Sequence, residues 1–428
     1  MRLFPGIAVV FTVTALAFSQ ESADPKQRSR VVRELAKQGS DSIAKIVPYA
    51  SDPDLNVRIE AVKALVDIGG PKTLDALILA TTDNDPEVQI RASEGIVNVY
   101  LPGYVKTGLS GTLSRAGTTV RGKFTDTNDQ IIDPFVQVRP DAIIALGKLA
   151  RGAASMDARA DAARAVGVLR GKAAMSDLVE ALHSKDDKLM YESLIAIQKI
   201  GDSSAAPRIS FLLRDLEERI QVAALETTGL LRNKEATPAV RGALDQARTA
   251  KIRRAALGAL AQIAEPADHP RFIQGLADKD DGVRAAAAEG LGRLKNSSDK
   301  SVLDSVFANE RGMNPRLAAG FALVSLGQLD VSRYSPLKYL VNALNQKAWR
   351  GVAGAYVTEL ARDASIRQAI YTLVPESTKD EKVQLSMILA SSGERDAVSL
   401  LEALSKDPDP DVQAEGIRSL RTLRARLQ

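Results

Sequence analysis

Apolar and small residues recur at helical spacing along most of this 428-residue chain. In the segment 283–294, which reads VRAAAAEGLGRL, the small residues at the fifth and eighth positions and the leucines at the ninth and twelfth share one helix face. The pattern therefore predicts an amphipathic helix that is repeated along the chain. Its other starting positions are Val57, Val88, Ala158, Leu189, Ile220, Ile252, Pro315, Trp349 and Val412, and more loosely Gln27 and Val383.

Successive starting positions lie close to 31 residues apart, with one interval of 70 residues between Val88 and Ala158. Each interval contains a second predicted helix, which usually opens with a proline, as at Pro71 and Pro238. Proline suits the first helical turn because its missing N–H would have no partner there. Each unit is therefore predicted to be a hairpin of two helices.

The turns between these helices carry the residues that helix ends prefer. Glycines that suit a left-handed cap follow some first helices, and aspartate-rich clusters that suit N-caps precede others. The examples are Gly69, Gly201 and Gly327, and the segments 278–281 and 407–411. No such hairpin can bury its apolar face alone, so the predicted fold class is all-α, an α-solenoid (superhelix) of about twelve stacked hairpins.

An arginine or glutamine follows the starting residue in most units. One interpretation is a basic stripe for an anionic ligand, and the other is a ladder of hydrogen bonds to neighbouring turns and aspartates. The residue recurs with the repeat instead of in one region, which favours the ladder. The positions are Arg58, Gln89, Arg159, Gln221, Arg253, Arg284, Arg316, Arg350, Gln384 and Gln413.

The segment 280–294, DDGVRAAAAEGLGRL, resembles a HEAT-like repeat of the short type associated with phycobilin lyases, and the resemblance extends over residues 27–428. It implies that the second helices line the concave side of the array. Such repeats occur in scaffolds, adaptors and a few enzymes, so the resemblance specifies fold more than function. Deoxyhypusine hydroxylases also use similar hairpins, but they bind iron through paired His-Glu motifs, which this sequence lacks.

The 70-residue interval contains an insertion at residues 103–137, within the third repeat and between its two helices. It is rich in Gly, Ser and Thr, and it has β-prone runs at 118–124 and 131–138 that predict a β-hairpin or an ordered loop. Its Asp126, Asn128, Asp129 and Asp133 lack the spacing of an EF-hand, so we interpret them as turn residues.

Basic and aromatic side chains are concentrated in this insertion. Long loops in repeat arrays often bind partners, so one hypothesis is that the insertion helps to bind a protein or peptide. The alternative is a loop that packs on its own unit through Phe124 and Ile132. The predicted binding residues are Tyr104, Lys106, Arg115, Arg121, Lys123, Phe124 and Phe135.

The first residues have the layout of a secretory leader, with Arg2 followed by the apolar run 7–18. We predict a signal peptide at 1–19, with cleavage after Ser19 favoured over Ala17, and a mature chain of 20–428 that is periplasmic or extracellular. An uncleaved membrane anchor is the alternative, although the run is short for a bilayer of about 30 Å.

Composition removes most forms of catalysis. The chain has no cysteine and only two histidines, His183 and His269, which excludes disulfides, thiolate nucleophiles and a multi-histidine metal centre. Its net charge of +4 is too small to indicate a nucleic-acid ligand. We predict no catalytic residue, no metal and no cofactor.

The sequence thus favours an exported, non-enzymatic scaffold or adaptor that binds a protein or an extended peptide on the solenoid surface. The alternative is a bilin-lyase-like or other cofactor-handling enzyme in which the insertion covers a pocket. An apolar pocket under the insertion would favour the enzyme, and an open charged groove would favour the scaffold. A structural protein of the cell envelope is not distinguished from the scaffold by sequence.

Overall fold

The computed structural model describes residues 24–105, 130–133 and 135–428, and these residues form α-helices, 3-10 helices and connecting turns, with no strand among them. The predicted signal peptide and most of the insertion lie outside the described residues. None of the described helices is long and apolar enough to cross a membrane.

The α-helices form two rows. The first row contains the repeated pattern, and the second row contains the shorter helices between them. The first-row helices are α1 Pro25–Ala36, α3 Leu55–Ile68, α5 Pro86–Tyr100, α7 Met156–Val168, α9 Asp187–Ile200, α10 Glu218–Leu230, α12 Ala250–Ile263, α14 Asp281–Leu294, α16 Met313–Ser325, α18 Arg350–Leu360, α20 Lys379–Ser392 and α22 Pro410–Leu427.

The second row runs beside the first and alternates with it along the chain. Its α-helices are α2 Ile43–Ile46, α4 Leu74–Ala80, α6 Pro140–Gly152, α8 Met175–Ala181, α11 Thr237–Asp245, α13 His269–Gly275, α15 Lys300–Asn309, α17 Pro336–Ala343, α19 Ala364–Leu373 and α21 Val398–Leu404. Between α9 and α10 the second-row position is filled by the 3-10 helix Ser203–Arg214, which contains Pro207.

Shorter 3-10 turns connect or extend these helices, often at the start of a second-row helix. They are Gly39–Ser42, Val47–Ser51, Pro71–Thr73, Lys172–Ala174, Lys234–Ala236, Pro266–Asp268, Ser297–Asp299, Val374–Glu376 and Arg395–Ala397. The predicted all-α helical array is therefore confirmed in the described residues.

Helix ends follow the predicted chemistry. The Asp280 side chain accepts a hydrogen bond from the backbone N–H of Val283 at 3.0 Å, and Asp409 caps α22 in the same way. Gly69, Gly201 and Gly327 all have positive φ, at 66°, 69° and 89°. The sequence did not indicate that other repeats place non-glycine residues in the same conformation, at Arg170, Arg232, Ala264 and Lys295.

We expect Ala264→Gly to stabilise the protein by about 0.5–1 kcal/mol. Ala264 has φ 57° and ψ 51° at the end of α12, a conformation that costs an L-residue more than it costs glycine. Chemical denaturation followed by circular dichroism measures the change. As a control, Ala261→Gly inside α12 removes a buried methyl from a regular helix and should destabilise; a loss of stability at both positions would contradict the argument.

Small residues bring the first-row helices into close contact. A methyl group added at Gly167 would lie 2.7 Å from Cα of Ala196, and one at Gly229 would lie 2.7 Å from Cα of Ala259. First-row helices pack on one another along much of their length, whereas most successive second-row helices touch only lightly. Close spacing marks the inner side of a curved array, so we place the first row there. On this inference, the first helices line the concave side, instead of the second helices that the resemblance implies.

The ladder interpretation of the repeated arginines and glutamines is confirmed for most of them. Arg58 pairs with Asp83 of the next turn at 2.7 Å and donates to the carbonyl oxygen of Asp52, while Gln221 donates to the carbonyl oxygen of Leu213. The other predicted positions that make such bonds are Gln89, Arg159, Arg253, Arg284 and Arg350. Arg28 and Arg367, which lie outside the predicted positions, make similar pairs with Asp52 and Asp396. These side chains join successive turns and do not form a free basic stripe.

Candidate binding surface

Both ends of the insertion are fixed to the end of α5. The Asn98 side-chain oxygen accepts hydrogen bonds from the backbone N–H groups of Gly103 and Val105, at 3.1 and 3.3 Å. The backbone N–H of Arg139, just before α6, donates to the Tyr100 hydroxyl at 3.1 Å. The insertion therefore leaves and rejoins the array at one place, above the inner row.

A group of charged side chains lies at the base of the insertion, next to Tyr104. Arg164 on α7 makes two hydrogen bonds to Glu192 on α9, at 2.7 and 3.1 Å. The Ser93 hydroxyl of α5 donates to the carboxylate of Asp161 on α7. Side chains from three successive first-row helices thus meet next to Tyr104.

Burial has the largest effect on the pKa values of Asp161 and Tyr104 in this group. It raises the pKa of Asp161, although the Ser93 hydrogen bond and the charge of Arg164 act in the opposite direction. Burial also raises the pKa of Tyr104, and the negative charge of Asp161 adds to that effect. A carboxyl group with a raised pKa in a concave surface is a candidate contact for a ligand.

The repeat pattern does not single out this group. The fourth position of the pattern is Ala in the units that begin at Ile220, Ile252 and Val283, and it is Asp161 and Glu192 in the two units that follow the insertion. Carboxylates also occupy this position in other units, at Glu60 and Glu415. What distinguishes Asp161 and Glu192 is their position next to Tyr104, which only the structure shows.

The last part of the insertion packs on the array without forming a strand. The backbone N–H of Ile132 donates to the Val168 carbonyl at 3.0 Å, and the Ile132 side chain is buried. A turn follows, in which the N–H of Val136 donates to the carbonyl of Asp133. The β-prone run 131–138 is therefore an extended segment with a turn in its described residues, because its backbone bonds to a helix end instead of a partner strand. The other run, 118–124, lies outside the described residues.

Only two of the predicted binding residues fall in the described part of the insertion. Tyr104 lies half-buried among the charged residues of the base, whereas Phe135 is 39% exposed. The structure does not bring these two residues into contact. The other predicted residues, Lys106, Arg115, Arg121, Lys123 and Phe124, lie outside the described residues.

A contact between distant parts of the chain also involves the insertion. Asp133 forms an ion pair with Arg418 on α22, at 2.8 Å, although the two residues are 285 positions apart. The repeat pattern along the chain does not indicate this pairing, because the pairing depends on how far the array curves. Both side chains are substantially exposed, so the pair contributes little to stability.

A second polar group joins first-row helices two repeats apart. Arg293 on α14 pairs with Glu289 at 2.8 Å and makes two hydrogen bonds to Glu359 on α18, at 2.8 and 2.9 Å. The Tyr356 hydroxyl donates to Glu289 at 2.5 Å, and the Tyr356 ring stacks on Phe321 of α16 with centroids 4.9 Å apart. This network crosses the inner side of the array.

The two histidines are engaged in packing and pairing. His183 stacks on Phe211 with ring centroids 4.6 Å apart, and His269 lies 2.8 Å from Asp299. Among residues 24–105, 130–133 and 135–428, no group of His, Asp and Glu side chains has the arrangement of a metal site.

Comparison with known families supports the repeat assignment. A family model described as HEAT repeats matches residues 13–96, 206–292 and 243–324. The matched segments of the chain are HEAT repeats. A search of curated protein sequences finds no significant match.

Several solved structures are similar to this chain at low sequence identity. The complex of CpcE and CpcF of phycocyanin lyase from Nostoc sp. PCC7120 is 18% identical, covers 62% of this chain and 92% of that chain, and has a TM-score of 0.38. Escherichia coli YibA is 15% identical, covers 73% of this chain and 100% of that chain, and has a TM-score of 0.41. Kap121p is 13% identical, covers 94% of this chain and 48% of that chain, and has a TM-score of 0.39.

Proposed function

We propose that this HEAT-repeat protein is an exported, non-enzymatic scaffold that binds a protein or an extended peptide along the inner row of helices, with the insertion 103–137 contributing to the site. The observation that carries the proposal is the charged base under the insertion, where Asp161, Arg164 and Glu192 surround Tyr104. Export rests on the leader-like sequence at 1–19.

The chemistry of this base supports a scaffold over a cofactor-handling enzyme. A pigment or similar cofactor needs an apolar pocket that excludes water. The side chains that surround Tyr104 here are carboxylates and a guanidinium. The nearby cavity beside Ile132, of about 510 Å³, also includes Asp133, Arg170 and Lys172 in its lining. Charged, open surfaces of this kind fit polypeptide partners, which present both polar and apolar groups.

Removal of the insertion is expected to abolish capture of a specific protein from the exported fraction of the native host. The variant replaces residues 103–137 with a short glycine-containing turn, which the proximity of Tyr100 and Arg139 makes feasible. Affinity capture with the mature chain and with this variant, followed by mass spectrometry, measures the result. Circular dichroism checks that the helical array is retained.

A point variant tests the contribution of the charged group next to Tyr104 without removing the insertion. Asp161→Asn keeps the shape of the side chain and its contact with Ser93 but removes the carboxylate. We expect about a tenfold weaker affinity for the captured partner, equivalent to about 1.4 kcal/mol. Asp75→Asn changes an exposed carboxylate that pairs with Arg139 on the second row and serves as the matched control. Unchanged capture in the deletion variant would contradict the proposal, and co-purification of a pigment in place of a protein would favour an enzyme.

A further inference from the structure

A second surface lies at the C-terminal ends of first-row helices. A cavity of about 570 Å³ opens where α12 and α14 end, and α18 and the turn before α19 form its far wall. Its floor is apolar, because Ile263, Phe321 and Leu360 are 4%, 1% and 3% exposed. The cavity belongs to the inner row but not to the base of the insertion.

Cationic side chains form the rim of this cavity. Arg232, Lys234, Lys295 and Arg362 all line it and are exposed. Within the described parts of the chain, none of these four side chains makes a hydrogen bond or an ion pair. Arg232 and Arg362 act electrostatically on Glu359, and Lys295 acts on Asp363, so these three cations share two carboxylates.

The carboxylates of the cavity are already occupied. Glu359 accepts two hydrogen bonds from Arg293, which is itself also paired with Glu289. Asp363 caps α19 by accepting from the backbone N–H groups of Ser365 and Ile366, at 2.9 and 3.3 Å. Glu359 and Asp363 offset only part of the charge of the four rim cations and Arg293, so the cavity retains an excess of positive charge.

A general preference for cations at helix C-termini does not account for this arrangement. That preference contributes about 0.3–1 kcal/mol at an exposed site, and it does not require the side chains to converge. Arg232 and Lys295 also have φ of 50° and 53°, where glycine would cost less. Ala264, at the corresponding turn between them, also lines the cavity.

We propose that this cavity binds an acidic segment of the polypeptide partner, with its carboxylates on the cationic rim and an apolar side chain on the floor. Bidentate contacts from Arg232 and Arg362 suit carboxylates, and the floor made by Ile263 and Phe321 suits an aliphatic neighbour. The inference rests on the proposed function, since it names the chemistry of the bound segment.

The test uses a fluorescein-labelled peptide of alternating glutamate and leucine as the probe, and fluorescence anisotropy with the mature full-length chain as the measurement. The triple variant Arg232→Gln, Lys295→Gln, Arg362→Gln removes the rim charge. We expect it to weaken binding at least about tenfold, because the carboxylates lose their charged partners. Binding to the unaltered chain should also weaken as salt is raised.

A matched control removes the same charge elsewhere. Arg208, Lys279 and Arg311 are exposed, line no part of this cavity and make no side-chain ion pair among the described residues. The control triple variant to glutamine should bind the peptide as the unaltered chain does. All six side chains are exposed, so neither variant should alter the circular dichroism spectrum.

Three results would overturn the inference: no binding of the acidic peptide, equal weakening by both triple variants, or equally tight binding of a lysine–leucine peptide. Each of these results leaves the capture test of the insertion unaffected. Conversely, the rim triple variant could bind the peptide as tightly as the unaltered chain while capture still depends on the insertion. That result would support the scaffold function and reject the acidic segment. The two proposals therefore fail separately.

Discussion

Gly292→Ala is expected to destabilise the protein by about 1–3 kcal/mol, even though alanine is the better helix former. A methyl group at Gly292 would lie 2.6 Å from Cα and 2.9 Å from Cβ of Ala322 on the neighbouring helix α16. The closer of these contacts is with backbone, which a rotamer change cannot relieve. The helices α14 and α16 would have to separate, and the contact between Arg293 and the Phe321 ring, at 5.0 Å, would weaken with them.

The matched control for this prediction is Gly258→Ala, on the inner face of α12. A methyl group at Gly258 would have no atom within 4 Å outside its own helix. This change should therefore stabilise the protein, by about 0.5–1 kcal/mol, through helix propensity alone. Urea denaturation followed by circular dichroism measures both variants. Equal effects at the two glycines would show that helix spacing is not the cause.

These two glycines show how far the sequence specifies the fold. The pattern around Val283 correctly predicts that Val283, Ala287, Gly290 and Leu291 are buried, because that face depends on neighbouring residues. It does not predict that Ala285, Ala286, Ala288 and Gly292 are buried as well, because neighbouring first-row helices cover other sides of the same helix. It does not specify which row is the inner one. That depends on the contact between Gly292 and Ala322 of the next unit, and a glycine in a helix face does not reveal by itself whether another backbone approaches it.

Contacts between distant residues were the hardest part of the site to predict. Asp133 meets Arg418, and Arg293 meets Glu359, only because small rotations between repeats accumulate along the array. The sequence shows each charge but not the curvature that brings them together. Tyr104 was identified through its position in the insertion, whereas the repeat pattern does not distinguish Asp161, because carboxylates occupy its position in other units as well, at Glu60 and Glu415.

Arg293→Met is expected to destabilise the protein by about 2–3 kcal/mol near neutral pH. The Arg293 side chain is only 8% exposed and is the charge partner of both Glu289 and Glu359, which are 20% and 29% exposed. Removing one member of a buried ionic group leaves the others uncompensated, and fully buried cases cost about 3–5 kcal/mol. The partial exposure of the two carboxylates reduces that value here.

The pH dependence of this effect has a definite sign. Burial alone would raise the pKa of Glu359, but the hydrogen bonds and charge of Arg293 outweigh it and hold the pKa below the usual value of 4.5. A lowered pKa in the folded state gives stability that is complete above about pH 4.5 and is lost as the pH falls through the folded value. The stabilising contribution of Arg293 should therefore be present at neutral pH and decline in acid.

Without Arg293, the burial of Glu359 is no longer opposed by that partner, so its pKa in the variant should rise above the usual value. The variant should then gain stability as the pH falls from about 7 to about 5, in contrast to the unaltered chain. Denaturation at a series of pH values tests this difference. Adding Glu359→Gln to Arg293→Met should remove most of the pH dependence and restore part of the stability, because the uncompensated carboxylate is gone. A stability difference that stays constant from neutral to acid pH would mean that Arg293 acts through packing on Phe321 alone.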